Sequence, residues 1–406
     1  MRILFVHQNF PGQFVHLAPA LQARGHEVMG LTGDDNATAT TLPFARYKWT
    51  PREPQEPHFK LASTFAKVTY RGEITSTAAA TLRDKHNYVP DVVFGTPGWG
   101  EMLFLRQVWP GARHLLYGEF FFGPQGPMIG FDRELSKGDL ASRIASTANN
   151  AHLVLSANDA DKVLVATQWQ ARSFPAYVQE KISVIHDGID TDLVCPSDAA
   201  VVKFPDQWKE FKTGDEVLTF VNRNHEPHRG FHIFMRALPK ILEARPHAHV
   251  VIVGGDDQSY SPRPGANKTW RQVMLAEVGD RLDLSRVHFV GKIPYATFID
   301  LLRVSRVHAY LTYPFVLSWS MMEAMSAGCL VVGSRTPPVE EMISDGVNGR
   351  LVDFFDVAAW SEALIDGLAH PEKYAHLRPA ARQTIVETYD LRKHCLPRLV
   401  EFVERA

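Results

Sequence analysis

The stretch Tyr313 to Asn348, YPFVLSWSMMEAMSAGCLVVGSRTPPVEEMISDGVN, decides how this chain is read. Met321, Met322, Ala324 and Met325 give a helix one apolar face, Gly328 stops that helix, and Leu330-Val331-Val332 then reads as a buried strand. Ser320 followed three residues later by Glu323 is a capping box, which sets the helix start near Ser318 to Ser320. A helix start carries unpaired N–H groups and the positive end of the dipole, so it suits an anion such as a phosphate. On these residues alone Glu323 has two meanings, a cap for its own helix or a carboxylate that meets a ligand.

Working outward, runs of β-branched residues alternate with helix-length segments, the pattern of parallel sheets covered by helices. The first half offers strands at Ile3 to Val6, Val28 to Leu31, Val92 to Phe94, His114 to Tyr117, Leu153 to Ser156, Val163 to Ala166 and Ser183 to Ile185. The second offers Val217 to Val221, His249 to Val253, Val287 to Val290, His308 to Leu311, Leu330 to Gly333 and Gly349 to Val352. Both halves open with a strand, a polar loop and a helix, which predicts an α/β protein of two Rossmann-like domains. Cys195-Pro196-Ser197-Asp198 and Phe204-Pro205-Asp206 interrupt regular structure, so the joint is expected between Asp190 and Pro205. The predicted division is residues 1–195, 196–375 and a helical tail over 376–406.

A chain of 406 residues exceeds one ordinary core. With 43 basic and 45 acidic residues the net charge is -2, which argues against a nucleic-acid partner. Cys195, Cys329 and Cys395 form no disulfide or metal-ligand pattern, and a reducing cytosol suits them. Ile3 to Val6 is interrupted by His7-Gln8-Asn9 and reads as a first strand, too short for the apolar core of an export signal. Val307 to Met322 is uncharged, yet His308, Thr312, Pro314, Ser318 and Ser320 break it, so no membrane span is expected. A cytoplasmic protein follows, and peripheral contact with the inner face of a membrane is compatible with it.

After the first strand comes His7-Gln8-Asn9-Phe10-Pro11-Gly12-Gln13, and Phe14, Leu17, Ala18 and Leu21 mark the next helix. Gly12 sits where ligands bind in doubly wound sheets, although an ordinary tight turn also explains it. One glycine is not the three-glycine fingerprint of a dinucleotide site. The second half repeats the plan with Asn222-Arg223, a loop to His228, then Arg229-Gly230 and a helix through Phe234, Leu238 and Ile241. Arg223 and Arg229 flank the loop at a strand's carboxyl end, where a diphosphate bound without metal needs cations and N–H donors.

Other chemistries lack their residues. Asp256-Asp257 is too small a set for Mg²⁺, the eighteen histidines hold no zinc-binding helix motif, and Gly254-Gly255 lacks the Lys-Ser/Thr of a P-loop. No nucleophile elbow occurs. Phe120-Phe121-Phe122-Gly123-Pro124 reads as core before it reads as an acceptor-side or membrane-side lip.

Glu323-Ala324-Met325-Ser326-Ala327-Gly328, Val339-Glu340-Glu341 and Asp345-Gly346-Val347-Asn348-Gly349 together resemble the nucleotide-sugar signature of retaining glycosyltransferases of family 4, the glycogen-synthase-like or group 1 glycosyltransferases. The resemblance covers nearly the whole chain and is strongest from Arg223 to Val352. It implies a GT-B-like architecture, two Rossmann-like domains facing a cleft, with the donor against the C-terminal domain and the acceptor mainly against the N-terminal one. The tail is implied to cross back to the N-terminal domain. The activity implied is retaining transfer from a nucleotide diphosphate sugar to an acceptor hydroxyl of a glycan, glycolipid or small molecule, with no metal and no other cofactor.

In the resembled family a Glu stands eight residues before the second one, and here that place is Phe315, while the usual glycines are Val316 and Ser318. Phe315, Val316, Leu317, Ser318 and Ser320 are thus implied donor contacts, with Glu323 on the ribose. The resemblance also implies that Gly12 faces the donor and that the backbone at Lys292-Ile293 meets the nucleobase. Arg223 matches the family's Arg, Arg229 stands in place of its Lys as a departure that still supplies a charge, and Glu119 takes the place of a His near donor and acceptor. Ile185-His186-Asp187-Gly188-Ile189-Asp190 matches a hinge pattern in which Gly188 serves geometry. The competing functions are a sugar-nucleotide-binding protein with little turnover, an epimerase of the same fold, and a two-lobed solute-binding protein, which would need an export signal.

Overall fold

The structure, a computed structural model, describes residues 1–50, 61–123, 126–204, 209–265 and 267–405. The chain divides into two compact units, one of Met1–Gly188 with Arg392–Ala406 and one of Ile189–Leu391.

The first unit is built on strands β1 (Arg2–Val6), β2 (Glu27–Gly33), β3 (Phe44–Tyr47), β4 (Val92–Gly95), β5 (Arg113–Tyr117), β6 (Lys162–Val165) and β7 (Ile182–Val184). They form one sheet in the order β3-β2-β1-β4-β5-β6-β7, and all its pairs are parallel. Parallel strands are covered on both faces, which is why β1 reads as an unbroken apolar run. Ile3 and Phe5 enter one core with Phe14, Leu17, Ala18 and Leu21, whereas Leu4 and Val6 enter the opposite core with Leu31, Val93 and Leu116. The terminal helix Leu396–Glu404 closes the first of these cores through Leu399, Val400, Phe402 and Val403.

The second unit begins with a two-stranded antiparallel ribbon, β8 (Val201–Lys203) and β9 (Glu210–Lys212). Its main sheet is β10 (Val217–Asn224), β11 (His249–Gly255), β12 (Val287–Gly291), β13 (Val307–Tyr310), β14 (Leu330–Ser334) and β15 (Arg350–Val352), in the order β12-β11-β10-β13-β14-β15 and all parallel. In each unit the first strand therefore has the later strands on one side and the earlier return on the other. β1 lies beside β4, and β10 beside β13, so each sheet has a switch point at which connections leave in opposite directions and a crevice opens beyond the carboxyl ends.

Three differences from the sequence reading have physical causes. Leu153 to Ser156 is helical, part of Ala151–Asp159, because its buried positions His152, Leu153, Ser156 and Ala157 follow a helical period while Leu155 is exposed. β3, β8 and β9 were not expected, since each is three or four residues long, carries at least one charged residue and lies at a sheet edge or in a ribbon. The chain passes into the second unit after Gly188, before the predicted boundary at 195, and leaves it after Leu391, later than 375. Ile189 is the reason: its N–H donates to the Tyr389 carbonyl at 2.8 Å and its carbonyl accepts from the Leu391 N–H at 2.8 Å, which ties both passages to one point. Pro205 and Asp206 of the predicted joint, and Pro124 of the phenylalanine run, lie outside the described residues. None of the described helices is long and apolar enough to cross a membrane.

Candidate functional site

At the switch point of the second unit, the loop after β10 and the segment after β13 supply the groups that matter. β10 runs through Val221 into Asn222, Arg223 and Asn224, and Pro227 starts the turn that ends at Gly230. Gly230 has φ +70°, and a Cβ there would lie 2.2 Å from the Leu311 Cβ, so only glycine lets this turn pack against the end of β13. The helix Phe231–Ala244 then buries Phe231, Phe234, Leu238 and Ile241.

Arg229 is buried, and its Nη1 donates to the Thr312 hydroxyl and to the Val316 carbonyl, both at 2.8 Å. Its guanidinium also lies 5.4 Å from the Tyr260 ring centre and 5.7 Å from that of Phe315. A guanidinium carries five N–H donors, so one nitrogen holds the loop after β13 while Nε and Nη2 make no hydrogen bond to the described residues. Arg223, by contrast, is exposed and has no ion-pair or hydrogen-bond partner among the described residues.

The segment anchored by Arg229 leads into the helix Trp319–Ser326. Ser318 is its N-cap, with its hydroxyl accepting from the Ser320 N–H at 3.4 Å and from the Ser320 hydroxyl at 3.0 Å. The expected capping box from Ser320 to Glu323 is therefore not formed, because Ser320 already lies inside the helix. Ser318 donates its own N–H to the Tyr310 hydroxyl at 2.8 Å, while the N–H groups of Val316 and Leu317 meet no acceptor among the described residues. Two open N–H groups just before a helix start are the arrangement that receives an anionic oxygen.

Glu323 is turned away from its own helix start. Its Oε1 accepts the Tyr295 hydroxyl at 2.6 Å, and Oε2 accepts nothing from the described residues. Burial pushes the carboxyl up to about 7, against the opposing effect of the Tyr295 hydrogen bond. Burial and the facing carboxylate likewise raise the Tyr295 phenol. Phe315 is 4% exposed and sits edge-on to His228 at 4.7 Å and to Tyr260 at 4.8 Å. Its ring is thus inside the wall of the segment, packed among other rings of the second unit.

The other predicted residues are placed as follows. Lys292 pairs with Asp257 at 2.9 Å on the surface beyond β12, and Ile293 packs against the core of the second unit. Gly12 and Glu119 belong to the first unit, where Gln13 donates to Glu119 at 2.5 Å. Gly12 has φ +49°, and a Cβ would lie 2.4 Å from the His7 ring, so its bareness serves packing against His7.

Several participants were missed. Glu226 lies between the two arginines in sequence and accepts the N–H groups of Tyr260 and Ser261 at 2.9 and 2.8 Å, with its carboxyl raised by burial. His228 is buried, held well below its ordinary value by desolvation and then by Arg229, and its Nε2 has no partner. His225 donates or accepts at Asp256 across 3.0 Å. A carboxylate and two histidines within one short loop were a visible signal, but Tyr260 lies too far along the chain for any local pattern to pair it with that loop, as Tyr295 does for Glu323.

Fold and switch-point loop together define an α/β protein of two parallel-sheet units, with Arg229 and two open N–H groups beyond β10 and β13. Residues 24–194 match the glycosyl transferase family 4 group and residues 203–384 match the glycosyl transferases group 1, so the chain belongs to the family 4, group 1 glycosyltransferases. It is 26% identical over 217 residues to the D-inositol 3-phosphate glycosyltransferase of Mycolicibacterium smegmatis, a match that covers 52% of this chain and 46% of that protein. The enzyme of the same name from Mycobacterium tuberculosis strain H37Ra matches at 26% over 241 residues, 57% of this chain and 47% of its own. The chain thus spans about half the length of the curated relatives it matches. Among solved structures, Anabaena HepE with UDP and glucose is similar with a TM-score of 0.71 and 17% identity over 100% of both chains. Sucrose-phosphate synthase from Thermosynechococcus elongatus gives 0.74 and 16% over 100% of this chain and 98% of the other. These likenesses place the fold in the GT-B class.

Proposed function

We propose that the protein is a retaining glycosyltransferase that moves a sugar from a nucleotide diphosphate sugar to an acceptor hydroxyl without a divalent metal. The observation that carries this reading is the Arg229 clamp, a buried guanidinium bonded to the carbonyl of Val316 beside two N–H groups that meet no acceptor among the described residues. Charge grows on the leaving diphosphate as the glycosidic bond breaks, and donors already fixed in place stabilise it without reorganising. Arg229, the exposed Arg223 and the N–H groups of Val316 and Leu317 fill that role. Attack on the same face as departure lets a phosphate oxygen take the acceptor proton. Glu323, with Oε2 open, accepts the ribose hydroxyls.

The relatives named D-inositol 3-phosphate glycosyltransferase and the neighbour solved with UDP and glucose support the substrate class. Phe315 in place of a carboxylate supports a second reading, nucleotide-sugar binding with weak turnover. Incubation with a panel of nucleotide sugars in excess chelator decides between them. Transfer or slow hydrolysis, with the product keeping the donor's anomeric configuration by NMR, is the expected result. Inverted product, or activity only after a metal is restored, would overturn the reading, and tight binding without turnover would favour the second.

A further inference from the structure

The first unit has a switch point of its own between β1 and β4, and a group of side chains there is left unexplained by donor binding. Arg71, on the helix Ser63–His86, donates from Nη1 to the Gln8 side-chain carbonyl at 2.7 Å, just past β1. The same nitrogen lies 3.3 Å from Glu101 Oε1, in the loop that follows β4. The Arg71 guanidinium lies 4.2 Å from the Trp49 ring centre and 5.9 Å from that of Trp99. Beneath it Glu101 is fully buried, with Oε1 accepting the Tyr47 hydroxyl at 2.9 Å and Oε2 without a partner among the described residues. The Thr96 hydroxyl of the same loop is also buried and meets no partner among the described residues. Trp99 is 52% exposed, although a tryptophan is among the residues most favoured by burial.

The loop is fixed rather than loose. Gly100 has φ +98°, and a Cβ there would lie 2.1 Å from the Val68 carbonyl oxygen, so the chain after Trp99 is pressed against the helix that carries Arg71. A flat exposed indole beside a planar guanidinium, a primary amide and a buried carboxyl is a surface for a ring with one apolar face and hydroxyls at its edge. An anion fits poorly, since the Arg71 guanidinium already faces the Glu101 carboxyl at 3.3 Å. A nucleotide would bring phosphates to the same balance.

The geometry points to a saccharide-binding site at the β1/β4 switch point, in which a neutral pyranose stacks on Trp99 and its hydroxyls bond to Arg71 and Gln8. The inference rests on the transferase reading in that it makes a neutral saccharide the acceptor. Arg71 has Nε and Nη2 free of bonds to the described residues, so the ligand need not displace the Gln8 or Glu101 contacts.

The test uses the full chain and saturation-transfer NMR with methyl glucoside, methyl mannoside and methyl galactoside, beside glucuronate, inorganic phosphate and a free nucleoside. At least one neutral pyranoside is expected to bind more tightly than the three comparison ligands, and Trp99→Ala is expected to weaken it by about tenfold, as when an anchoring tryptophan is truncated. Arg71→Lys keeps a charge over the buried carboxyl but loses the fork, and it is expected to weaken the same ligand. Nucleoside diphosphate affinity, measured on the same samples, stays at the parent value in Trp99→Ala. A parent that binds no neutral pyranoside, or binds glucuronate, phosphate or the nucleoside in preference, overturns the inference, as does full binding by Trp99→Ala. Loss of diphosphate binding in the parent would instead break the transferase reading, so the two failures are distinct.

Discussion

Two loops in this molecule are built alike and hold different chemistry. After β1 the chain runs through polar residues to Gly12 at φ +49°, and after β10 it runs through polar residues to Gly230 at φ +70°. In both cases the missing Cβ makes room for a side chain of the same unit, His7 in one and Leu311 in the other. The first loop satisfies itself: the Asn9 N–H donates to His7 Nδ1 at 3.0 Å, the Phe10 N–H to the Thr32 hydroxyl at 3.2 Å, and Gln13 to Glu119. Among the described residues the second loop leaves Arg223 without a partner and uses one nitrogen of Arg229 to hold a segment in which the Val316 and Leu317 N–H groups are open. A glycine at a switch point thus reports a turn, and the ligand is reported by the donors left over.

The comparison breaks most visibly at Arg229. Arg229→Ala should weaken nucleoside diphosphate binding by about 3 kcal/mol or more, because a charged donor and the anchor of the Val316 carbonyl go together. The melting temperature should fall as well, since the residue is buried, and calorimetric titration with thermal unfolding reads both. The paired glycines come next. Gly12→Ala and Gly230→Ala should each lower stability by about 2 to 4 kcal/mol, from left-handed strain and overpacking. Only the second should also reduce diphosphate affinity in whatever fraction remains folded, and equal losses of affinity would dissolve the distinction between the loops.

Glu323 sharpens the comparison through pH. Its folded value of about 7 stands above the ordinary 4.5, so between these the folded state holds the proton that the unfolded chain releases. Stability from this group is present below about pH 4.5 and is lost as pH rises through 7, on the order of a few kcal/mol. Glu323→Gln cannot ionise, and its stability profile over that window should be flatter than the parent's in unfolding scans at fixed ionic strength. A smaller effect is expected on recognition. The parent should prefer a nucleotide over its 2′- or 3′-deoxy analogue, and Glu323→Gln should lose part of that preference, on the order of 1 kcal/mol. Unchanged discrimination would return Glu323 to a structural part beside Tyr295.

Most of the architecture is legible in the sequence because buried parallel strands such as β1, β10 and β14 need continuous apolar runs, and such runs followed by polar loops have few other uses. Leu153 to Ser156 shows the limit, since four apolar residues fit a strand or one side of a helix until the neighbours that cover them are known. The site is legible in its charges and not in its connections. Arg223 and Arg229 stand out as a pair in sequence, yet one is exposed and the other buried, which depends on Thr312 and Val316 far along the chain. Ser320 and Glu323 have the spacing of a capping box, and the box fails because Tyr295 offers the carboxyl a stronger partner while Ser318 takes the cap. Phe315 stands at an implied donor contact in sequence, and its enclosure depends on His228 and Tyr260, which no local pattern brings to it.

The central claim is that the diphosphate site belongs to the second unit and needs no metal. Isothermal titration of a nucleoside diphosphate in excess chelator, into the parent, Arg223→Ala and Gln13→Ala, tests it most directly. Arg223 is exposed and has no partner among the described residues, so its loss should leave the fold intact and weaken binding by about 1.5 to 3 kcal/mol, whereas Gln13→Ala should bind as the parent does. Parent binding that vanishes in chelator, or affinity that falls on Gln13→Ala and holds on Arg223→Ala, would contradict the account.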